Sequence, residues 1–307
     1  MAQDALAARK VAQAERLMGS LTIDGSLQDI AWQRIPVSRD FEELSPQPGT
    51  SPQFDTEVRF AYDDAALYIG ARMWDGAPDS VLHQLSERDQ RANSDEFGIW
   101  FSTFDDGLNA VRFSTTPDGI QVDEQLSPNN NDQSWDAVWD VACRIDSAGW
   151  TAEFRIPWMA FRFPKQTEQA WGTNMYRTLR RQREESVWNP MDPTQKLLNQ
   201  GGVLRGISKI DPPLRLSLFP YLSTYGIAAE GETSSTYNGG MDMKVGLGNA
   251  FTLDMTLIPD FGQVVTDALV LNLSPFELRF AENRQFFKEG TELFNKTGTF
   301  YSRRMGE

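Results

Sequence analysis

The sequence has very little of the side-chain chemistry that most cofactor-binding proteins use. Among 307 residues it contains one cysteine, Cys143, and one histidine, His83. A single cysteine excludes an internal disulfide and a cysteine-based metal cage, and a single histidine argues against a histidine-ligated zinc or haem centre. No apolar run reaches the roughly 20 residues of a membrane-spanning helix. The residues themselves therefore predict no cofactor.

Positive charge is also scarce. The chain has 29 lysine and arginine residues against 43 aspartate and glutamate residues, a formal net charge of −14. So acidic a protein is not expected to bind nucleic acid, or anionic lipid through a basic patch. Residues 1–17 are polar and alanine-rich, keep a helical pattern, and lack the apolar centre of a secretory signal. Two explanations stay open: a cytoplasmic protein, or an exported one whose leader was replaced by a start methionine.

Alternation of apolar and polar residues is what the sequence has in abundance. In "TEVRFAYDDAALYIGARMW", Val58 and Phe60 share one face, and Leu67 and Ile69 share another after a turn at two aspartates. Similar short segments follow, separated by Asp and Gly turn signals. A second helical pattern is limited to residues 78–92. The alternation predicts an all-β sandwich.

The tryptophans divide by the faces that this alternation gives them. Trp139 and Trp150 share strand faces with apolar residues, so both are predicted to lie in the core. Trp158, at a strand end, is predicted to be core as well. Trp135 lies in the polar loop "SPNNNDQSWD". Trp74 and Trp188 each end a strand beside an acidic or proline-containing loop, and either could cap the core or contact a ligand.

Four sequence blocks follow one another at a characteristic spacing: "LTIDGSLQDIAW", "TEVRFAYDDAALYIGARMWD", "SDEFGIWFSTF" and "GWTAEFRIPW". Together they resemble the carbohydrate-binding module family 9-like domain, over about residues 21–210. The resemblance implies a jelly-roll, immunoglobulin-like β-sandwich whose best-known members bind the ends of sugar chains. It makes an oligo- or polysaccharide the expected partner, and we place the sandwich at residues 18–210.

The chain departs from that family where sugar-binding members clamp their ligand. Two loop tryptophans form the clamp there, whereas this chain has Arg91-Ala92-Asn93 and Gln195-Lys196-Leu197. Gly98 replaces a carboxylate of the binders. A replacement site is predicted from arginine and acidic side chains, which suit sugar hydroxyls, together with two tryptophans. Its candidates are Arg88, Asp95, Glu96, Arg112, Arg177, Arg181, Trp135 and Trp188. The alternative is that these charges form ion pairs with one another.

Catalytic and metal-binding motifs are missing from the sequence. No GxGxxG, P-loop, HExxH or GxSxG pattern stands in a suitable context. The paired carboxylates Asp63-Asp64 and Asp105-Asp106 are typical of turns rather than of a glycosidase acid and base. We therefore predict a binding protein rather than an enzyme, with no catalytic residues. Calcium in the loop "NNNDQSWD" is an alternative, because relatives of the family carry calcium in loops.

The last third of the chain changes character after Pro212-Pro213. Leu216 and Leu218 alternate with polar residues, and a long alternating segment turns at Gly248-Asn249 and resumes at Phe251. Such long strands with one apolar face and a short turn are typical of a transmembrane β-barrel hairpin. A soluble hairpin with one buried face is the alternative.

The stretch "LIPDFGQVVTDALVLNLSPFELRFAENRQFFKEGTELF" resembles the segment that follows the family 9-like domain in a group of Gram-negative outer-membrane proteins. The resemblance implies an outer-membrane location, with the sandwich periplasmic or extracellular. It divides the chain into a leader at 1–17, the sandwich, and the start of a β-barrel at 211–307. Three strands cannot close a barrel, so we expect a piece or a truncated relative of a larger protein. Docking of the sandwich on its own barrel is the alternative function.

Overall fold

The chain divides into two compact units, residues 1–213 and 214–307. Among the described residues, no helix is both long enough and apolar enough to span a membrane. The computed structural model describes residues 9–128, 131–133, 135–192, 194–211, 213, 215–229, 232–247 and 251–258.

The first unit is built from β-strands, which confirms the all-β prediction. Its helical elements, among the described residues, are α1 Ile30–Gln33 and the short 3-10 turns Pro78–Ser80, Trp158–Ala160, Arg180–Gln182 and Leu197–Asn199. Its strands are β1 Val11–Arg16, β2 Val37–Ser38, β3 Glu42–Ser45, β4 Thr56–Tyr62, β5 Ala66–Trp74, β6 Glu96–Ser102, β7 Ala110–Thr115, β8 Gln121–Leu126, β9 Asn131–Asp132, β10 Asp140–Asp146, β11 Gly149–Pro157, β12 Trp171–Leu179, β13 Glu184–Val187 and β14 Gly202–Arg205.

Two sheets form the sandwich, and β1 belongs to both. The first sheet runs β1-β14-β12-β6-β7-β8-β9, and the second runs β1-β4-β5-β11-β10. Val11 to Gln13 pair with β14 and Ala14 to Arg16 pair with β4, both in parallel. The helix expected in residues 1–17 is therefore wrong where the structure describes it. Ala12 and Ala14 are buried at every second position, and this pairing outweighs the helical propensity of alanine.

Apolar side chains from both sheets fill the space between them. The ring centroids of Phe97 on β6 and Phe154 on β11 lie 5.9 Å apart. The core placement of Trp139, Trp150 and Trp158 is confirmed, since each is at most 4% exposed. Alternation places Ile145 on the same face as Trp139, yet Ile145 is 37% exposed because β10 is an edge strand.

The second helix expected from the sequence, over residues 78–92, is also wrong. Only the turn Pro78–Ser80 is helical there, and the rest is an irregular loop. Its ends are tied together, because Asp95 N donates to Leu82 O at 2.7 Å and Gln84 N donates to Ser94 Oγ at 2.8 Å. This loop carries Arg88 and Arg91 along the edge of the first sheet.

The second unit contains an antiparallel meander of β15 Arg215–Ala229, β16 Glu232–Leu247 and β17 Phe251–Leu257. Its register aligns Leu218, Met243 and Met255 in one row, and Leu216, Val245 and Leu253 in the next. The expected alternation is therefore present, with one apolar face running across three strands. The turn predicted at Gly248-Asn249 and everything after Ile258 lie outside the described residues, and the barrel stays a prediction.

Candidate functional site

A cluster of charged side chains occupies part of the outer face of the first sheet, and we call it the polar face. It comprises Glu96 on β6, Arg112 on β7, Glu124 on β8, Tyr176 on β12 and Arg91 from the loop. These strands are neighbours in the sheet. On β6 every second residue points into the core, so Glu96 and Gly98 point outward.

The members of the polar face contact one another directly. The carboxylate of Glu124 accepts one hydrogen bond from Arg112 and pairs with Arg91 Nη2 at 2.7 Å. Arg91 also lies 3.4 Å from the Glu96 carboxylate, and the Tyr176 hydroxyl donates to Glu96 at 2.5 Å. Two guanidinium groups, two carboxylates and a phenol ring thus meet on the outer face of the sheet, where the Glu124 side chain is 1% exposed and the Glu96 side chain 14%.

Gly98 lies beneath the Tyr176 ring. A Cβ at this glycine would come within 2.4 Å of that ring. The position that holds a carboxylate in the resembling sugar binders is therefore filled here by an aromatic ring. Burial, with the negative charge of Glu96 adding to it, raises the pKa of Tyr176 above its usual range, so the hydroxyl stays a hydrogen-bond donor at physiological pH.

The loop expected to hold the second clamp residue packs onto the same sheet. Leu198 is 4% exposed and joins a small cluster with Trp100, Ala110 and Leu126. Leu197 packs against the edge of that cluster. The loop therefore covers apolar surface and presents no ring to a ligand.

Arg88 lies elsewhere, among three carboxylates. It pairs with Asp123 at 2.5 Å, Asp136 at 2.9 Å and Asp89 at 3.5 Å. The three acids each place an oxygen within 4.8 Å of the other two, and Asp136 belongs to the loop suggested for calcium. The Arg88 guanidinium already supplies the positive charge, so a cation would have to displace it. These ion pairs anchor the loop that carries Arg88, and a calcium site there stays a prediction.

Trp135 and Trp188 lie against the core. Trp135 is half-buried, with its ring edge-to-face on Phe113 at 5.9 Å. Trp188 is 2% exposed and belongs to the main cluster. The suggestion that Trp188 offers a ring to a ligand is therefore wrong, because its indole lies against the backbone of Gly202.

Asp95, Arg177 and Arg181 belong to a third group, at one end of the sandwich. Arg177 is 2% exposed and donates to Trp74 O at 2.9 Å. Arg181 makes two hydrogen bonds of 2.7 Å to Asp75. Burial raises the pKa of Asp95 to about 6 and lowers the pKa of Arg177 to about 10. Asp95 and Arg177 are thus structural, and only Glu96 and Arg112 of the predicted set meet on the polar face.

Sequence reasoning missed Glu124 and Tyr176 as members of this cluster. The strand order that brings β8 and β12 beside β6 and β7 is not visible in local patterns. The loop beside Trp74 makes its role ambiguous, yet alternation on β5 predicts an outward side chain, because Met73 belongs to the inward row. The structure leaves Trp74 39% exposed.

Comparison with protein families agrees with the architecture. Residues 23–189, more than half of the chain, match the family described as "Carbohydrate family 9 binding domain-like". The chain belongs to this family. Its first unit is a family 9-like domain of a non-catalytic type, in agreement with the missing catalytic motifs. Residues 212–307 match "Domain of unknown function (DUF5916)".

Solved structures resemble the first unit in fold. A proposed carbohydrate-binding protein from Bacteroides uniformis ATCC 8492 is 12% identical, with a TM-score of 0.51, 65% of this chain covered and 100% of that one. A family 9 carbohydrate-binding module from Caldicellulosiruptor kristjanssonii in complex with glucose is 14% identical, with a TM-score of 0.48 and coverages of 65% and 97%. A family 9 carbohydrate-binding module from that organism in complex with cellotriose is 15% identical, with a TM-score of 0.44, 65% of this chain covered and 95% of that one. Comparison with curated proteins gives no match.

Proposed function

We propose that the first unit is a non-catalytic saccharide-binding module and that the polar face is its binding surface. One observation carries the proposal: Arg91 and Arg112 share the carboxylate of Glu124, beside Glu96 and Tyr176, on the outer face of the family 9-like sheet. Arg91 also belongs to the segment just before β6 where the resembling sugar binders carry one of their two clamp tryptophans.

The chemistry of the polar face suits a sugar. Guanidinium groups donate and carboxylates accept charge-assisted hydrogen bonds, which are roughly twice as strong as neutral ones. The half-buried ring of Tyr176 adds an apolar contact for the C–H side of a pyranose. Because no pair of tryptophans encloses the ligand, we expect weak binding, with a Kd of about 1 mM and a free energy near −4 kcal/mol.

A glycan array followed by calorimetry tests this function on the full chain. We expect neutral oligosaccharides to bind, and Arg91→Gln to weaken them about tenfold through loss of a charge-assisted hydrogen bond. Lys165→Gln is the matched control, because its ion pair with Asp211 is exposed and lies apart from the polar face. An array without a saccharide signal contradicts the proposal and favours a structural module that docks on its own barrel.

We also propose that the second unit attaches this module to the outer membrane. The support is the apolar face of β15, β16 and β17, on which Leu218, Leu222 and Leu253 are 49%, 81% and 43% exposed. A sheet that presents such a row of apolar side chains outward suits lipid contact. The sandwich would then be periplasmic or extracellular, where saccharides are encountered. Fractionation of a Gram-negative host tests the location, and recovery of the exported chain in the soluble fraction contradicts it.

A further inference from the structure

Trp74 lies on the other side of the sandwich from the polar face. It ends β5 in the second sheet, after eight consecutive buried residues, and it is 39% exposed. Trp74 lines one groove of about 330 Å³ and a second of about 460 Å³, so it forms the ridge between them. Of the nine tryptophans, this one presents an aromatic ring to solvent beside a cavity large enough for a sugar.

The ring is held in place before any ligand arrives. The guanidinium of Arg72 lies 4.5 Å from the indole centroid. Arg72 is itself fixed, because it is 9% exposed and makes hydrogen bonds of 2.6 and 2.7 Å to Asp146. A ring with restricted rotamers loses little conformational freedom when a ligand packs on it.

The first groove carries positive charge on an acidic protein. Arg59, Arg72 and Arg144 line it against Glu57 and Asp146, so its ionised groups sum to +1, whereas the chain carries −14. Net positive charge at one groove of an anionic molecule favours an anionic ligand there.

Arg144 is the group in this groove that is available to a ligand. Arg72 is committed to Asp146, and Arg59 shares Glu57 with Arg39. Arg144 is exposed, and among the described residues it makes no ion pair. A guanidinium fork of this kind binds a carboxylate through two parallel hydrogen bonds. Ser26, Gln28 and Gln33 also line the groove and add neutral donors.

We propose that the Trp74 groove is a second saccharide site, for a chain that contains uronic acid residues. A pyranose ring packs against the exposed part of the Trp74 indole, and a carboxylate of the same saccharide chain pairs with Arg144. The site lies on a different sheet from the polar face, so it goes beyond the function proposed above and does not depend on it.

Calorimetry of the full chain with tetragalacturonate, and with cellotetraose as a neutral probe of equal length, tests the proposal. We expect tetragalacturonate to bind and Trp74→Ala to weaken it at least about tenfold, as for loss of a stacking aromatic anchor. Arg144→Gln should weaken tetragalacturonate about tenfold and leave cellotetraose unchanged. Within the part of the chain that the structure describes, Arg144 makes no ion pair, so this variant is expected to fold normally.

A variant on the polar face distinguishes binding at the two sites. Arg91→Gln should weaken the neutral probe and leave tetragalacturonate binding unchanged. The second site is overturned if tetragalacturonate does not bind, if it binds no more tightly than cellotetraose, or if Trp74→Ala and Arg144→Gln bind it like the unaltered chain. Loss of tetragalacturonate binding in Arg91→Gln would also overturn it, since the acid would then bind at the polar face.

Discussion

Asp95 shows at the scale of a single residue how burial controls charge in this sandwich. It is 0% exposed, and its Oδ1 accepts the backbone N–H of Arg180 at 2.9 Å. Its Oδ2 has no hydrogen-bond partner among the described residues. Burial raises its pKa from 3.8 to about 6 although Arg177 and Arg181 lower it, so the folded protein holds this proton more tightly than the unfolded chain does.

Replacing Asp95 with asparagine should therefore change how stability depends on pH. The raised pKa makes the protonated carboxyl contribute stability that is complete below about pH 4 and lost as pH rises through about 6. Between pH 4 and pH 7 the free energy of unfolding of the unaltered chain should fall relative to Asp95→Asn by on the order of 2–3 kcal/mol. Urea denaturation at several pH values measures this difference, and parallel curves for the two proteins would contradict it.

A fully buried tryptophan and an exposed one allow a second test of stability. Trp150 is 0% exposed and Trp74 is 39% exposed. Trp150→Ala should lower the free energy of unfolding by about 3–5 kcal/mol, as for large core aromatics. Trp74→Ala is the matched control and should cost under about 1 kcal/mol. Equal losses of unfolding free energy in the two variants would mean that the exposure of Trp74 does not predict its contribution to stability.

Local patterns predict residues whose environment is local, and they fail where the environment comes from distant strands. Period-two alternation is enough to place Trp139 and Trp150 in the core. It cannot place Arg177, because the acceptors that bury this side chain, such as Trp74 O, come from another strand. Nor can it show that Arg112 meets Glu124 and Arg91, since that depends on the order of the strands in the sheet.

At the scale of secondary-structure elements, β1 is the strand that local sequence patterns predict incorrectly. Its alanines suggest a helix, yet it is the strand that joins the two sheets. Ala14 is 1% exposed in the core, while Gln13 next to it is exposed. Ala14→Glu should therefore destabilise the first unit by about 3–5 kcal/mol, because an unpaired charge would be buried.

Gln13→Glu adds the same charge at the neighbouring exposed position and serves as the control. All nine tryptophans lie before residue 189, so tryptophan fluorescence follows unfolding of the first unit alone. Equal denaturation midpoints for the two variants would mean that β1 is not an integral strand of the sandwich.

The packing of β6 against β12 allows another test. A Cβ at Gly98 would lie 2.4 Å from the Tyr176 ring, so Gly98→Ala should push the ring aside and break its hydrogen bond to Glu96. We expect a loss of about 1–3 kcal/mol, as for overpacked sites. Gly226→Ala, where a Cβ meets nothing within 4 Å, is the control. An unchanged unfolding curve for Gly98→Ala would show that the ring can move without cost.

At the scale of the whole molecule, the two units differ in how far they bury their apolar side chains. The first unit buries its main apolar cluster between two sheets and covers two smaller clusters with loops and turns, and every described strand in it pairs within that unit. The second unit leaves Leu218 and Leu253 exposed on one face of its meander. A contiguous exposed apolar face of this kind marks an interaction surface, which the outer-membrane proposal assigns to lipid.

This difference leads to a test with lipid vesicles. We expect the full chain to sediment with neutral phosphatidylcholine vesicles and the fragment 9–213 to stay in solution, since neutral lipid removes any contribution from charge. The full chain carrying Leu218→Arg, Met243→Arg and Leu253→Arg should also stay in solution, because each such charge moved into the middle of the hydrocarbon costs about 2–4 kcal/mol. Binding by this triple variant at the level of the unaltered chain would show that the apolar face does not contact lipid, and the membrane assignment would fail.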